Sequence, residues 1–277
     1  MRPSNLVGVL PDTTRRIWLT GTLLSAMLAL SSGEYGYDIT TELISLPIGQ
    51  STVDLVVHRA DERGLAYLNL HDDEDTSVDA ALALVRTHGG VVFELQHGGS
   101  RNLTFRLNDS SYTVDPNRIF TDSGIDLTLN RHGSTNTQAH EAVRSFSDSL
   151  LNLVGFREMG VVVTIHNNSE GGYSARSYDE NGDLSSDARS VHLVPDEDPD
   201  DFFFVTTDEL YDTLRVRDAN VVLQDNLLAQ DDGSLSVLAG RDGIPYVNVE
   251  AQHDHVDVQR GMLALLHSLF VTESTRR

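Results

Sequence analysis

The sequence predicts an α/β fold in which helices flank a mixed central sheet. From Thr41 onward, strand-like and helix-like segments alternate, which is the pattern of a sheet packed between helices. Two strand candidates, residues 91–96 and 161–165, are dominated by apolar side chains. No internal repeat and no Pro- or Gly-rich linker divides the body. We therefore expect residues 34–277 to form a single domain, large enough for a full hydrophobic core.

Strands are predicted wherever a short β-rich or apolar run lies between polar segments. These runs cover residues 52–57, 66–70, 91–96, 103–107, 112–114, 161–165, 202–205, 221–223, 234–238 and 246–250. The segment Asn108-Asp109-Ser110-Ser111 separates two of them and predicts a hairpin turn.

Helices are predicted over residues 76–86, 138–154, 207–216 and 256–270. Thr76 and Asp79 have the spacing of a capping box at the start of the first helix, and the pair Gly89-Gly90 follows as a stop signal. The second helix is long and amphipathic. The acidic stretch 196–201 is expected to be a solvated loop.

The first 33 residues have the pattern of a signal peptide. Arg15 and Arg16 precede an apolar run over residues 17–30, and Ser31-Ser32-Gly33 follows it. A membrane span needs about 20 residues, so this run is too short to stay in the bilayer. The arginine pair resembles a twin-arginine signal, which predicts a secreted or periplasmic protein with no stable membrane span after processing. The alternative is a buried first helix of the domain.

The charge of the chain is strongly negative. Asp and Glu number 42 against 20 basic residues, all of them Arg, for a net charge of −22. Such a surface repels nucleic acids and anionic lipids, so neither is expected as a partner. Molar salt shortens the Debye length to about 3 Å and screens this repulsion, which favours a halophilic source. The alternative is an ordinary acidic secreted protein from a high-GC genome.

Metal-binding residue types occur where predicted strands end. His71 and Glu74 follow the strand at 66–70, His166 follows the strand at 161–165, and Glu250 ends a later strand. The crevice beyond the carboxyl ends of strands is where α/β sheets bind ligands. The chain has no Cys, so His and carboxylates must hold any metal. Two His and one Glu with an open position are typical of catalytic Zn²⁺. Glu250 is then the candidate general base.

A second constellation, Asp115-Pro116-Asn117-Arg118-Ile119-Phe120, lies between these residues. The order His-x-x-Glu, Asp-x-Asn-Arg, third His and late Glu resembles the zinc metallocarboxypeptidase superfamily, which includes desuccinylases and aspartoacylases. The resemblance implies a metallocarboxypeptidase-like fold and Zn²⁺ held by His71, Glu74 and His166. It also implies that Glu250 is the catalytic base.

The resemblance assigns four further residues. Asp115 would orient His71 through a hydrogen bond. Asn117 and Arg118 would hold a free substrate carboxylate, for which the planar guanidinium is suited. Arg101, which lies 16 residues before Asn117, would stabilise the oxyanion.

The sequence departs from the superfamily pattern at two points. Both residues between the first His and the Glu are Asp, whereas many peptidase members have a basic residue there. The late tyrosine that closes over the substrate has no clear counterpart. Candidates left open are Tyr211 and Tyr246 for that tyrosine, Gln224, Asp225 and Asn226 as lining of the crevice, and His253 and His255 as either metal-binding or surface residues.

The leading hypothesis is a secreted zinc hydrolase that cleaves an amide bond next to a free carboxylate. Its substrate would be a peptide or a small N-acyl amino acid. One alternative is a catalytically silent carboxylate-binding protein of the same fold. Another is a calcium-dependent structural protein, suggested by the many Asp residues, although none has EF-hand spacing.

Overall fold

The computed structural model describes residues 36–61, 63–133 and 135–271. The predicted signal peptide over residues 1–33 lies outside them. The strands are β1 (Thr40–Ile48), β2 (Ser51–Asp61), β3 (Ala66–Asn69), β4 (Gly90–Gln96), β5 (Leu103–Leu107), β6 (Ser110–Val114), β7 (Val162–Asn168), β8 (Ala188–His192), β9 (Phe202–Val205), β10 (Val221–Gln224) and β11 (Tyr246–Gln252). The helices are α1 (Asp75–His88), α2 (Asp122–Arg131), α3 (Thr137–Val154), α4 (Asp208–Arg215), α5 (Leu235–Asp242) and α6 (Val256–Val271).

Nine of the strands form one mixed sheet in the order β1-β2-β4-β3-β7-β11-β9-β10-β8. Its centre, β4-β3-β7-β11, is parallel, and antiparallel strands extend it on both sides. The α/β class with a mixed central sheet is therefore confirmed. No helix within the described ranges is long and apolar enough to cross a membrane.

Alternation along the central strands divides the core into two layers. On β7, Val162 packs in the layer with α2, α3 and α5, whereas Val163 packs in the layer with α1, α4 and α6. On β11, Tyr246 faces the first layer and Val247 the second. Burying side chains of this size stabilises a fold by roughly 1.5–3 kcal/mol each. Because side chains alternate with period two, Glu250 on β11 shares the face of Tyr246.

The ends of β7 and β11 differ from the prediction. His166 and Glu250 lie inside these strands rather than at their ends, because the ladder continues to the pair Gln252–Asn168. His166 and Glu250 are register partners. Parallel pairing therefore fixes the two side chains next to each other on one face of the sheet.

Two local predictions are wrong. Residues 234–238 were expected to form a strand, but Ser234 caps α5 by accepting a hydrogen bond from the Val237 N–H. The capping box at Thr76 is absent, because Glu74 is the N-cap of α1 and makes no side-chain cap bond. Thr76 Oγ1 instead accepts a hydrogen bond from the Asp254 N–H.

The acidic stretch 196–201 is only partly the solvated loop that its composition predicts. Asp200 is buried, and its Oδ2 accepts hydrogen bonds from the Gly171 N–H and from Gln252 Nε2. The Asp200 side chain thereby ties this loop to the end of β11.

Candidate active site

Three potential metal-binding atoms meet at the carboxyl end of the central strands. His71 Nδ1 lies 2.9 Å from Glu74 Oε1 and 3.1 Å from His166 Nδ1. His166 Nδ1 lies 2.8 Å from Glu74 Oε2. All three side chains are buried. Together they could hold a metal ion.

The chemistry of this donor set fits a cation. His71 Nε2 lies 2.9 Å from Asp115 Oδ1, and because a carboxylate only accepts, Nε2 carries the proton. In the neutral ring the lone pair of His71 is then on Nδ1, which faces a second imidazole nitrogen and a carboxylate. Two nitrogens and one carboxylate converging in this way match the ligands of catalytic Zn²⁺.

Charge around the three donors also favours a cation. Burial alone would lower the pKa of His71, but Glu74 and Asp115 raise it to about 9. Burial alone would raise the pKa of Glu74, but His166 and His71 hold it well below its usual range. Likewise, His71 holds the pKa of Asp115 below its usual range against the effect of burial. The site therefore keeps its carboxylates ionised.

A cleft of about 600 Å³ opens over these donors. Its lining includes seven of the eight residues to which the sequence analysis gave a role in metal binding, substrate binding or catalysis: His71, Glu74, Arg101, Asn117, Arg118, His166 and Glu250. The eighth, Asp115, contacts His71 instead. The volume is typical of sites for small ligands.

The Asp115-Pro116-Asn117-Arg118 segment turns between the metal site and the cleft. Residues Pro116–Arg118 form a 3-10 turn that Asp115 caps. Pro116 is its first residue, a position whose backbone N–H has no partner within the turn, so the missing N–H of proline costs nothing there. Asp115 Oδ1 therefore accepts both from His71 Nε2 and from the Asn117 N–H, at 2.9 and 2.8 Å. Asn117 Oδ1 accepts from the Leu235 N–H, so the side chain is held against the start of α5.

The backbone beneath Arg118 packs closely against a glycine. Gly233 has φ +80°, and a Cβ there would lie 2.5 Å from the Arg118 carbonyl oxygen and 2.5 Å from Gly124 Cα. The Gly233 carbonyl also accepts a hydrogen bond from the Phe120 N–H. This close approach needs glycine at position 233 and fixes the position of the Arg118 backbone.

Arg101 also contacts the donor set. Its Nη1 donates to Glu74 Oε1 at 2.7 Å, and its Nη2 lies 4.0 Å from Asp115 Oδ2. The side chain is 48% exposed, so its guanidinium also meets the open cleft. Of the two Asp residues between His71 and Glu74, Asp73 lines the cleft, whereas Asp72 accepts from the His97 and Gly99 N–H groups.

Glu250 is buried at the floor of the cleft. Its Oε1 accepts a hydrogen bond from Asn248 Nδ2 at 2.9 Å, two residues earlier on the same face of β11. Burial raises the pKa of Glu250 above its usual value. A carboxylate in this setting can take a proton more readily than one in water.

A glutamine on the last helix braces the strands that carry His166 and Glu250. Gln259 Nε2 donates to the His166 carbonyl oxygen at 2.9 Å, and Gln259 Oε1 accepts from Asn167 Nδ2 at 2.9 Å. Asn167 Oδ1 in turn accepts from the Ser77 N–H at the start of α1. This buried amide network supports the site from the other face of the sheet.

Sequence reasoning missed a pair of tyrosines in the cleft wall. Tyr173 and Tyr178 line the cleft, and their hydroxyl oxygens are 2.6 Å apart. They lie in the long loop between β7 and β8, where no strand or motif marks them. Packing against Phe202 fixes both rings. Burial raises the pKa of each phenol, so both remain hydrogen-bond donors.

The structure separates the candidates that the sequence left open. Tyr246, Gln224 and His253 line the cleft. Tyr211, Asp225, Asn226 and His255 are not among the described residues that line it.

No protein-family model matches the chain, and no curated protein matches it. Solved structures do. A murein-tripeptide amidase from Escherichia coli O157 matches at 17% identity over 83% of this chain and 91% of that chain, with a TM-score of 0.47. A succinylglutamate desuccinylase/aspartoacylase from Rhodobacter sphaeroides matches at 15% identity over 88% of this chain and 68% of that chain, with a TM-score of 0.41.

Bovine thrombin-activatable fibrinolysis inhibitor, solved with a tick carboxypeptidase inhibitor, matches at 10% identity, 84% and 90% coverage and a TM-score of 0.46. These three matches are likenesses of fold. At this level of identity and TM-score the likeness carries no activity across, so the function is inferred from the side chains of the cleft.

Proposed function

We propose that the protein is a zinc-dependent hydrolase that cleaves an amide bond adjacent to a free carboxylate. The observation that carries this proposal is the meeting of the donors His71, Glu74 and His166 with Glu250 and Arg118 in one cleft. Zn²⁺ held by these donors would polarise the scissile carbonyl and acidify a water molecule.

In this proposal Glu250 is the general base. It accepts a proton from the attacking water as the water oxygen bonds to the carbonyl carbon. The same proton then passes to the leaving nitrogen as the carbon–nitrogen bond breaks, giving a carboxylic acid and an amine. Arg101 stabilises the negative charge that develops on the carbonyl oxygen.

Other residues of the cleft orient the substrate in this proposal. Arg118 and Asn117 hold the free carboxylate, and Asp115 keeps the His71 ring in place. The substrate classes that fit are C-terminal peptide bonds and N-acyl amino acids. The competing function is a carboxylate-binding protein of the same fold without turnover.

Metal content tests the first part of this proposal. We expect about one zinc per chain in the purified protein and loss of zinc in His166→Ala, because two donors hold the ion poorly. His132→Ala is the matched control, since His132 is exposed and lies outside the cleft lining. Stoichiometric zinc in His166→Ala would contradict the ligand assignment.

Turnover tests the second part. Glu250→Gln keeps the shape of the side chain but cannot accept a proton, so we expect a rate loss of about 10²–10⁴-fold with zinc retained. The assay is hydrolysis of a panel of N-acyl amino acids and short peptides. A parental rate in Glu250→Gln would place the base elsewhere. Carboxylate binding by the parental protein without any turnover would favour the silent binding protein.

We also propose that residues 1–33 direct export and are removed, leaving residues 34–277 as the mature domain. Trp18 is the only tryptophan of the chain. Processed protein recovered from outside the cytoplasm should therefore lack tryptophan fluorescence, whereas the precursor shows it. Replacing Arg15 and Arg16 by Lys should cause the precursor to accumulate, and export at the parental level would contradict the twin-arginine route.

A further inference from the structure

A buried chain of hydrogen bonds leads to Glu250 from the body of the sheet. The Tyr246 hydroxyl lies 2.7 Å from Thr164 Oγ1, and Thr164 Oγ1 donates to Asn248 Oδ1 at 3.1 Å. Asn248 Nδ2 then donates to Glu250 Oε1 at 2.9 Å. All four side chains are buried and point to the same face of β7 and β11.

The direction of this chain follows from the donors available. Thr164 has one hydroxyl proton and uses it toward Asn248 Oδ1, so the bond with Tyr246 must be donated by the phenol. Burial raises the pKa of Tyr246, which keeps that proton in place. With its oxygen held by Thr164, the Asn248 amide can present only its NH₂ group to Glu250.

We propose that Tyr246, Thr164 and Asn248 are positioning residues that reserve Oε1 of Glu250 as a hydrogen-bond acceptor and leave Oε2 to take the proton of the attacking water. This inference rests on the proposed function, because it assigns a role to Glu250 as base.

The physical reason is that the oxygen and the NH₂ group of the Asn248 side chain have similar size, but one accepts hydrogen bonds and the other donates them. Without Thr164, Asn248 can turn its oxygen toward the carboxylate, where two acceptors repel and Glu250 moves to another rotamer. A general base must stay within hydrogen-bond reach of the water that it deprotonates. Fixing the amide therefore fixes the carboxylate before substrate arrives, which is preorganisation of the catalytic geometry.

The test compares two substitutions at one buried position. Thr164→Val removes the hydroxyl at nearly constant volume, and we expect kcat to fall by about 10- to 100-fold, as for other outer partners of catalytic groups. KM and zinc content should stay at the parental values, because the carboxylate grip and the three donors are untouched. Thr164→Ser keeps the hydroxyl and should restore most of kcat.

Two further variants make the outcome independent of folding at position 164. Tyr246→Phe removes only the first donor of the chain, and Asn248→Leu removes the donor to Glu250. We expect a smaller kcat loss in the first and a larger one in the second. Tyr211→Phe is the control, because this phenol is not among the described residues that line the cleft.

The results separate this inference from the proposed function. If Glu250→Gln is inactive while folded Thr164→Val and Tyr246→Phe both keep the parental kcat, the positioning role is overturned and the hydrolase proposal stands. If Glu250→Gln is fully active, Glu250 is not the base and the positioning role fails, whereas absence of turnover in the parental protein would contradict the hydrolase proposal itself. A loss in Thr164→Val that Thr164→Ser does not recover also overturns the inference.

Discussion

Arg118 meets the cleft with only part of its guanidinium engaged by the protein. Nη1 donates to the Asn117 carbonyl oxygen at 2.8 Å, and Nε lies 3.2 Å from Asp232 Oδ2. Burial alone would lower the pKa of Arg118, but Asp232 and Asp115 raise it, so the group stays charged. No other polar contact of this guanidinium occurs within the described part of the chain, which leaves Nη2 for a ligand.

Substitution of Arg118 should therefore change substrate preference rather than metal binding. Arg118→Ala is expected to keep its zinc but to lose discrimination between substrates with a free carboxylate and the matching amides. Arg118→Lys should recover the preference only in part, because an ammonium lacks the planar fork. The measurement is kcat/KM for paired acid and amide substrates.

Asp232→Asn is the matched control for this prediction, because it removes the partner charge of Arg118 and leaves the guanidinium. It should bind free carboxylates at least as well as the parental protein. Equal kcat/KM ratios in Arg118→Ala and the parental protein would contradict the role of Arg118.

Among single residues, the sequence predicts a functional role only where a metal-binding or charged residue type also lies at a telling place, such as next to an apolar strand. His71, Glu74 and His166 are polar residues beside apolar strands, and the structure brings their donor atoms together. The sequence does not mark Tyr173 and Asn248 as functional residues. Tyr173 reaches the cleft through a long irregular loop, and Asn248 matters only through a cross-strand contact with Thr164.

Helices α2 and α3 are joined by a charged cluster at the surface. His140 on α3 lies between two acids of α2, with Nδ1 2.8 Å from Asp126 Oδ1 and Nε2 3.0 Å from Asp122 Oδ1. Arg144 also contacts Asp122. Burial alone would lower the pKa of His140, but Asp126 and Asp122 raise it. The imidazolium therefore links the two helices more strongly than the neutral ring does.

This cluster predicts a pH-dependent contribution to stability. A folded-state pKa above the unfolded value of about 6.5 stabilises the fold below that value, and the stabilisation is lost as pH rises through the folded pKa. Compared with His140→Gln, the parental protein should therefore melt at a higher temperature near pH 6. The difference should shrink at higher pH.

Thermal melting of both proteins across this pH range is the measurement. His132→Gln, at an exposed position just past α2, is the control for replacing a surface histidine by glutamine. A difference between the parental protein and His140→Gln that grows with rising pH would contradict the raised pKa of His140.

The sequence predicts the buried strands of the sheet correctly, because burial requires runs of apolar residues. It does not predict the strands at the two edges of the sheet. Strands β4, β7 and β9 lie in the buried part of the sheet and are rich in apolar residues. Edge strand β1 is largely exposed, so its sequence mixes polar and apolar residues and was not predicted as a strand. Strand β8 at the other edge, which is mostly half-buried, and helix α2 were not predicted either. The alternating Ser-Leu-Ser-Val of residues 234–237 has the period of a strand, yet capping by Ser234 starts a helix there.

Net charge acts on the whole molecule. At −22 the folded chain repels itself more than the expanded unfolded chain does, and salt screens this repulsion. We expect the melting temperature to rise between 0.1 M and molar NaCl. For a domain of this size, each kcal/mol gained raises it by about 2–4 °C.

A variant with fewer charges provides the control. Glu141, Asp148 and Glu209 are exposed and form no ion pair among the described residues. Replacing them by Gln, Asn and Gln should reduce the dependence of melting temperature on salt. A melting temperature that is flat or falls with salt in the parental protein would contradict the halophilic interpretation and leave the metal site unaffected.

The position of Gln259 has a consequence for biosynthesis. The chain is made from its N-terminus, and His166 and Glu250 leave the ribosome before α6 does. Until α6 docks, the His166 carbonyl lacks its partner on Gln259, and Asn167 Nδ2 keeps only the Ala251 carbonyl oxygen as acceptor. We therefore expect a nascent chain to lack the proposed activity until its last helix is complete, so that the site matures only at the end of synthesis.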